Sequence, residues 1–382
     1  MSSQVDSDVL LTACGAALPA PGVVDRMTRH LQREAEVGGY AAEDESADEL
    51  AEARSRVGPL LGLEPGNVSL TDSGMSATVS LAQAMLTGEL DLRGRMIVTD
   101  PREFGANLVV LRRLADASGA RVELLEVSSA GRLDVERLGE LVASGRVGLV
   151  WLSLAHAHAG WTNPVGDLAP AVGGRSERTW LVLDVCQSFG QLPDDLAPLE
   201  PDAVIGTSRK WVRGPRGVGF GWLHPDRPAR LGAWPELSAP PLGVLERHEG
   251  GIAAKVGLGV ALAHLESVGA GPTHRAVAER ARLLRSELGS LPGWRCIDDP
   301  DARSAIVSLA PTGPIEAHAD TVAAAAASLA DRRIRVTSAH RHHAPGGMES
   351  LGAGTALRLG AHADQPFEEL QRAVEVIAEV VG

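Results

Sequence analysis

Trp180-Leu181-Val182-Leu183-Asp184-Val185-Cys186-Gln187-Ser188-Phe189-Gly190 reads as a short apolar strand that ends on a carboxylate. A run this short and this apolar suits a strand covered on both faces. The aspartate at its end must find a partner, because burying an unpaired charge is costly. Working outward, Ala203-Val204-Ile205-Gly206 is a second such run. It leads into Thr207-Ser208-Arg209-Lys210-Trp211 and then the glycine-rich Gly214-Pro215-Arg216-Gly217-Val218-Gly219. Asp184 and Lys210 are 26 positions apart (210 − 184), room for one helix and one strand. The two can therefore face each other across neighbouring strand ends.

The alternation extends on both sides. Residues 95–99, 121–127, 147–154 and 218–223 read as strands, and residues 107–117 and 134–143 as helices. Strands separated by helices predict an α/β fold with a mostly parallel central sheet. Ligand sites in such sheets lie at the carboxyl ends of the strands. A long apolar-periodic stretch over 252–288 follows, with a break near Gly269-Ala270-Gly271-Pro272. After it come strands at 304–309, 333–337 and 356–359 and helices at 316–330 and 367–380, a smaller α+β unit. Residues 339–354, rich in Gly and His, read as a loop. The expected division is a large domain over 22–250 and a small C-terminal domain formed by 251–382 with the N-terminal segment 1–21.

Composition narrows the function classes. Of 382 residues, 44% are hydrophobic and 22% charged, which predicts a sizeable core. The formal net charge of −13 disfavours nucleic acid or an anionic membrane as the main partner. No run of about 18 apolar residues is present. Residues 1–8 lack the basic and apolar regions of a signal peptide. Three widely spaced cysteines, Cys14, Cys186 and Cys296, give neither zinc spacing nor a disulfide framework. A soluble cytoplasmic protein is expected, without a metal.

The basic residues carry the chemical clue. Only Lys210 and Lys255 are lysines among 36 basic side chains. Arginine does not lose its proton, so amine chemistry has two candidates. Thr71-Asp72-Ser73-Gly74-Met75-Ser76-Ala77 precedes an apolar helix and offers free backbone N–H groups to a phosphate. Asp184 could pair with a pyridinium nitrogen. Arg358, in Leu357-Arg358-Leu359-Gly360-Ala361-His362, could grip a carboxylate bidentately. Taken singly, each has an ordinary explanation: a helix cap, an internal ion pair, two surface lysines.

Together these segments resemble the class V aminotransferase and cysteine desulfurase group of pyridoxal-phosphate enzymes, fold type I, from about residue 14 onward. Asp184 and Gln187 match its Asp-x-x-Gln-x-x-Gly segment, where Asp holds the pyridine nitrogen and Gln contacts the phenolic oxygen. Thr207-Ser208-Arg209-Lys210 matches Ser-x-His-Lys, with the lysine on the cofactor aldehyde and Arg209 replacing the phosphate-binding His. Gly74-Met75-Ser76 matches the phosphate turn. In Glu103-Phe104-Gly105-Ala106-Asn107, Phe104 takes the place of a His over the ring. Arg358 matches the arginine for the substrate carboxylate. The resemblance also implies a homodimer and a small amino-acid substrate; Glu249 stands where many relatives carry a phosphate-binding Thr.

Residues 338–354 contain no cysteine, so persulfide formation of the desulfurase type is not expected. A closer resemblance is to ergothioneine-pathway C–S lyases. It rests on Arg33-Glu34-Ala35-Glu36-Val37-Gly38-Gly39-Tyr40, the Lys210 segment, Leu245-Glu246 and Ala253-Ala254-Lys255-Val256-Gly257-Leu258. There a His precedes the Asp strand, and His158 is its best match as a cofactor contact. Related enzymes of lincosamide-antibiotic biosynthesis act on cysteine S-conjugates too. The resemblance implies β-elimination from an S-substituted L-cysteine, giving a thiol, pyruvate and ammonia. Decarboxylation with oxidative deamination is the alternative, then an aminotransferase or epimerase. Tyr40, Trp211, Trp161 and His340-Arg341-His342-His343 are candidate substrate or entrance contacts. Lys255 is expected on the surface of the long helix.

Overall fold

The computed structural model describes residues 8–88, 90–128, 131–193, 195–232, 244–247, 250–299 and 301–382. Residues 1–7 and Glu249, both read above from sequence, lie outside the described residues. The chain opens with β1 (Val9–Leu10), and seven strands then form the large sheet. These are β2 (Asn67–Thr71), β3 (Met96–Thr99), β4 (Arg121–Leu124), β5 (Val147–Ser153), β6 (Trp180–Asp184), β7 (Ala203–Thr207) and β8 (Gly219–Leu223). Their order is β2-β8-β7-β6-β5-β3-β4. Only β8 runs antiparallel to its neighbours.

Strand periodicity explains why β5, β6 and β7 read as continuous apolar runs. Successive side chains point to opposite faces, and here both faces are covered. Val150, Leu152, Leu181, Leu183 and Val204 join the core on one side. Leu149, Trp151, Trp180, Val182 and Ile205 join the core on the other, with the helices Gly74–Thr87 and Gly105–Ser118. Registry sets Ser153 beside Asp184 and Asp184 beside Ile205, so the polar ends of β5 and β6 adjoin.

The C-terminal part carries the antiparallel sheet β12-β13-β10-β9, built from β9 (Trp294–Cys296), β10 (Val307–Pro311), β12 (Thr337–His340) and β13 (Thr355–Leu359). Helices Ala270–Leu288, His318–Asp331 and Phe367–Val381 supply its core. β11 (Ile334–Arg335) pairs in parallel with β1, and Thr12 bridges to Gly360. Residues 9–12 are thereby stitched to the last quarter of the chain. Helices Ile252–Val268 and Ala270–Leu288 meet at 88° around Gly269, whose φ of 85° suits glycine. Among the described residues no single helix is long and apolar enough to cross a membrane.

Three expectations need correction. Residues 339–354 are not a loop: β12 runs to His340, a 3-10 turn covers Arg341–His343 and a short helix covers Pro345–Ser350. The strand expected at 304–309 begins at Val307, because Ala305 N donates to Gln191 Oε1 rather than to a strand. Lys255 is 3% exposed, not a surface residue.

Candidate active site

The carboxyl ends of β2, β5, β6 and β7 open into a cavity of about 360 Å³. On one side is the turn after β2. Ser73, in extended backbone, caps the helix Gly74–Thr87 by accepting from Ser76 N at 3.0 Å. Ser73, Gly74, Met75 and Thr78 line the cavity, while Ser76 does not. The turn can approach the sheet only because glycines meet there. A Cβ on Gly219 would lie 2.4 Å from Gly74 N, and one on Gly74 would lie 2.7 Å from Cys186 Sγ. Thr207, Arg209, Arg216 and Gly217 line the cavity as well, with Asp72 at the turn itself. Arg209 Nη1 donates to Gly15 O at 2.9 Å. A helix N-terminus that shares a cavity with two guanidinium groups is a site for an anion.

Asp184 closes the floor, fixed through both oxygens. Oδ1 accepts from Cys186 N at 2.7 Å and Oδ2 from Asn107 Nδ2 at 2.8 Å. Lys210 lines the same cavity. Among the described residues its Nζ has no hydrogen-bond partner. Burial, reinforced by the charge of Arg209, brings its pKa down to about 8. Lys255 differs: its Nζ donates to Glu246 Oε1 at 2.7 Å, and Glu246 also accepts from Arg54 and Leu70 N. Both lysines are thus withdrawn from the surface, and only Lys210 keeps its amine uncommitted.

Gln187 lines the cavity with both amide ends engaged. Nε2 donates to Cys14 O at 3.0 Å, and Oε1 accepts from Trp211 Nε1 at 2.9 Å. Phe104 also lines the cavity, and its ring stacks on His343 at 6.3 Å and 23°. Burial pushes His343 down to about 4, so its ring is neutral at pH 7. Arg358 sits behind Ala157, one lining residue; its Nη1 donates to Ala157 O and its Nε to Thr337 Oγ1 at 3.1 Å.

Other anticipated residues are placed elsewhere. His158 is fully buried but outside the lining. Ala155 and Ala157 line the cavity, while His156, just before the bend over 157–160, and His158, within it, do not. The ring of His158 packs under Gly347, and burial holds its pKa well below the usual imidazole range. Trp211, 4% exposed, belongs to the core of the small sheet and reaches the site only through Gln187. Trp161 is buried, with Nε1 donating to Ile297 O at 2.9 Å. Tyr40 is 82% exposed on the helix Gly39–Glu45. Asn107, Ser153 and Cys186, not singled out from sequence, line the cavity.

The aminotransferase class-V family matches residues 9–373. The chain belongs to this family. A probable hercynylcysteine sulfoxide lyase of Mycobacterium tuberculosis (strain CDC 1551 / Oshkosh) is 31% identical over 361 residues, covering 93% of this chain and 85% of the relative. A probable cysteine desulfurase of Pyrococcus abyssi (strain GE5 / Orsay) is 24% identical, over 86% of this chain and 82% of the relative. Among solved structures, the apo cysteine desulfurase of Thermococcus onnurineus NA1 superimposes with a TM-score of 0.82 at 21% identity, covering 98% and 94% of the two chains. The cystine C–S lyase C-DES, in complex with its reaction product cysteine persulfide, gives 0.78 at 19% identity, covering 98% of each chain. At these identities the structures show a shared fold: a large, mostly parallel central sheet with a C-terminal domain.

The cavity fits the cofactor implied by the sequence resemblance, pyridoxal phosphate. It joins an uncommitted amine, a carboxylate with room for a third donor, and a helix N-terminus flanked by arginines. A Cβ at Gly74 or Gly219 would fill that cradle.

Proposed function

We propose that this pyridoxal-phosphate enzyme cleaves the C–S bond of an S-substituted L-cysteine by β-elimination, releasing a thiol, pyruvate and ammonia. The observation that carries the reading is the contrast between the two lysines. Lys255 is locked to Glu246, whereas Lys210 presents a free amine, with pKa about 8, beside Asp184. The 31% identity to a probable hercynylcysteine sulfoxide lyase supports sulfur-conjugated cysteine as the substrate class.

When bound, the cofactor supplies an electron sink for the bonds at the substrate Cα. The chain does the rest. Lys210 would hold the cofactor through its aldehyde, and its free amine would serve as the general base for the substrate Cα proton. The electron pair passes to Cβ and the C–S pair leaves with sulfur. The released enamine takes up water to give pyruvate and ammonia. With the cofactor bound, Asp184 would pair with its ring nitrogen, Gln187 with its phenolic oxygen, and Phe104 would cover one face of the ring. The turn at Ser73, Gly74 and Met75, with Thr207, Arg209 and Arg216, would receive the phosphate. Arg358, behind Ala157 at the cavity wall, would have to leave Ala157 O to reach a substrate carboxylate.

Desulfurase chemistry is disfavoured by Cys186. It is the one cysteine on the cavity lining, and burial, with Asp184 adding, pushes its thiol well above the usual range. We also propose a cytoplasmic homodimer with the 22–250 and 1–21 plus 251–382 division. Exposed Val24, Leu31 and Tyr40 offer it apolar surface.

The deciding experiment is turnover of an S-conjugated cysteine with pyruvate, ammonia and CO₂ measured together. Equal pyruvate and ammonia without CO₂ are expected. Release of CO₂ before any thiol would replace elimination by decarboxylation with oxidative deamination, the route of one type of lincosamide-pathway enzyme.

A further inference from the structure

Behind Asp184 lies a second carboxylate, fully buried. Glu103 Oε1 accepts from Ser153 Oγ at 2.6 Å, Phe104 N at 2.8 Å and Asn107 Nδ2 at 3.1 Å, and Oε2 accepts from Ser153 N at 2.9 Å. The same Asn107 Nδ2 donates to Asp184 Oδ2 at 2.8 Å. One amide nitrogen therefore spends its two hydrogens on two carboxylates. Asn107 Oδ1 is buried without a partner among the described residues, so the carboxylates alone orient the amide. All partners of Glu103 donate, which favours its charged form. Burial and the charge of Asp184 outweigh them and push it up to about 8.

We propose that Glu103 is a positioning residue for the cofactor ring nitrogen: through Ser153 and Phe104 N it is fixed in place, and it holds Asn107 Nδ2 against Asp184, so that the Asp184 carboxylate stays aimed where the ring nitrogen would sit. Phe104 N hangs on the same oxygen, so the ring's anchor and its cover share one support. The proposal rests on the pyridoxal-phosphate reading but is indifferent to whether elimination or decarboxylation follows.

The test uses wild type, Glu103→Gln, Asn107→Ala and the double variant, each loaded with isotopically labelled pyridoxal phosphate. The ring-nitrogen chemical shift and the cofactor release rate are read at one pH. In Glu103→Gln the resonance should move toward the unprotonated position and release should quicken about tenfold, the low end of what removing an outer-shell partner costs a metal site. In the Asn107→Ala background Glu103→Gln should add little. A wild-type resonance and release rate in Glu103→Gln would overturn the proposal, as would an undiminished effect without Asn107. Should Glu103→Gln fail to fold, Ser153→Ala carries the test. It removes the shortest donor to Glu103 but no carboxylate, and an unchanged resonance there also overturns the proposal. Failure of wild type to retain any cofactor would instead strike the underlying reading.

Discussion

Trp211 Nε1 donates to Gln187 Oε1 at 2.9 Å, tying the residue next to Lys210 to the turn that follows Asp184. Trp211 is anchored in the core of the small sheet, so the lysine's neighbour is held from both parts of the molecule. Trp211→Phe keeps most of the packing and loses the donor. It should cost about 0.5–1.5 kcal/mol in denaturant unfolding. It should also lower kcat/KM, since Gln187 would then be held only by Cys14 O.

Lys210→Ala should abolish turnover and the visible absorption of the bound cofactor while leaving the fold intact. Lys255→Ala should keep that absorption. The same spectrum in both variants would contradict the assignment of the amine.

Lys210 also sets a pH dependence. Its pKa is lowered to about 8, so the neutral amine is present above that pH and is lost as pH falls through it. Recombination of the apo protein with pyridoxal phosphate should therefore slow about tenfold for each pH unit below the pKa and level off above it. Stopped-flow absorbance across pH 6–10 (about four units) would measure this. A flat profile would mean that the amine is not the group that reacts.

Lys255→Met tests the buried triad. Glu246 would retain Arg54 and Leu70 N but lose its nearest charge. Breaking a buried pair costs about 3–5 kcal/mol, and the surviving partners place this variant at the low end. Urea unfolding should register the loss while the cofactor absorption persists.

Cys186→Ala should leave C–S cleavage within a few-fold of wild type, because the buried thiol is held protonated. Loss of all sulfur release in this variant would make Cys186 a participant and favour desulfurase chemistry.

Much of this was legible in the sequence. Residues 180–184 and 203–207 were readable as strands because both faces are covered, leaving continuous apolar runs that stop at polar residues. Asp184 and Lys210 stood out for that reason. The sequence does not show which side chain of 155–158 reaches the cavity, because the chain bends there: Ala155 and Ala157 line it and His158 does not. Lys255 looks like a surface residue from its helix alone because its partner Glu246, nine residues earlier, lies outside that helix. Asn107 and Ser153 carry no periodic signal; their importance comes only from Glu103 and Asp184, which converge on them in three dimensions. The helix after His343 begins at Pro345 over two glycines, poor helix formers, and Gly347 fits there because His158 leaves no room for a Cβ.

The pairing of Val9–Leu10 with Ile334–Arg335, with Thr12 on Gly360, has a consequence for biosynthesis. Cys14 and Gly15 supply carbonyls to Gln187 and Arg209, yet the segment bearing them is held by residues translated more than 300 positions later. Lys210 and its strands emerge from the ribosome well before that clasp exists. Retention of pyridoxal phosphate should thus appear late on the growing chain, only after residues 334–360 have been released, and nascent chains stalled before that point should not hold it.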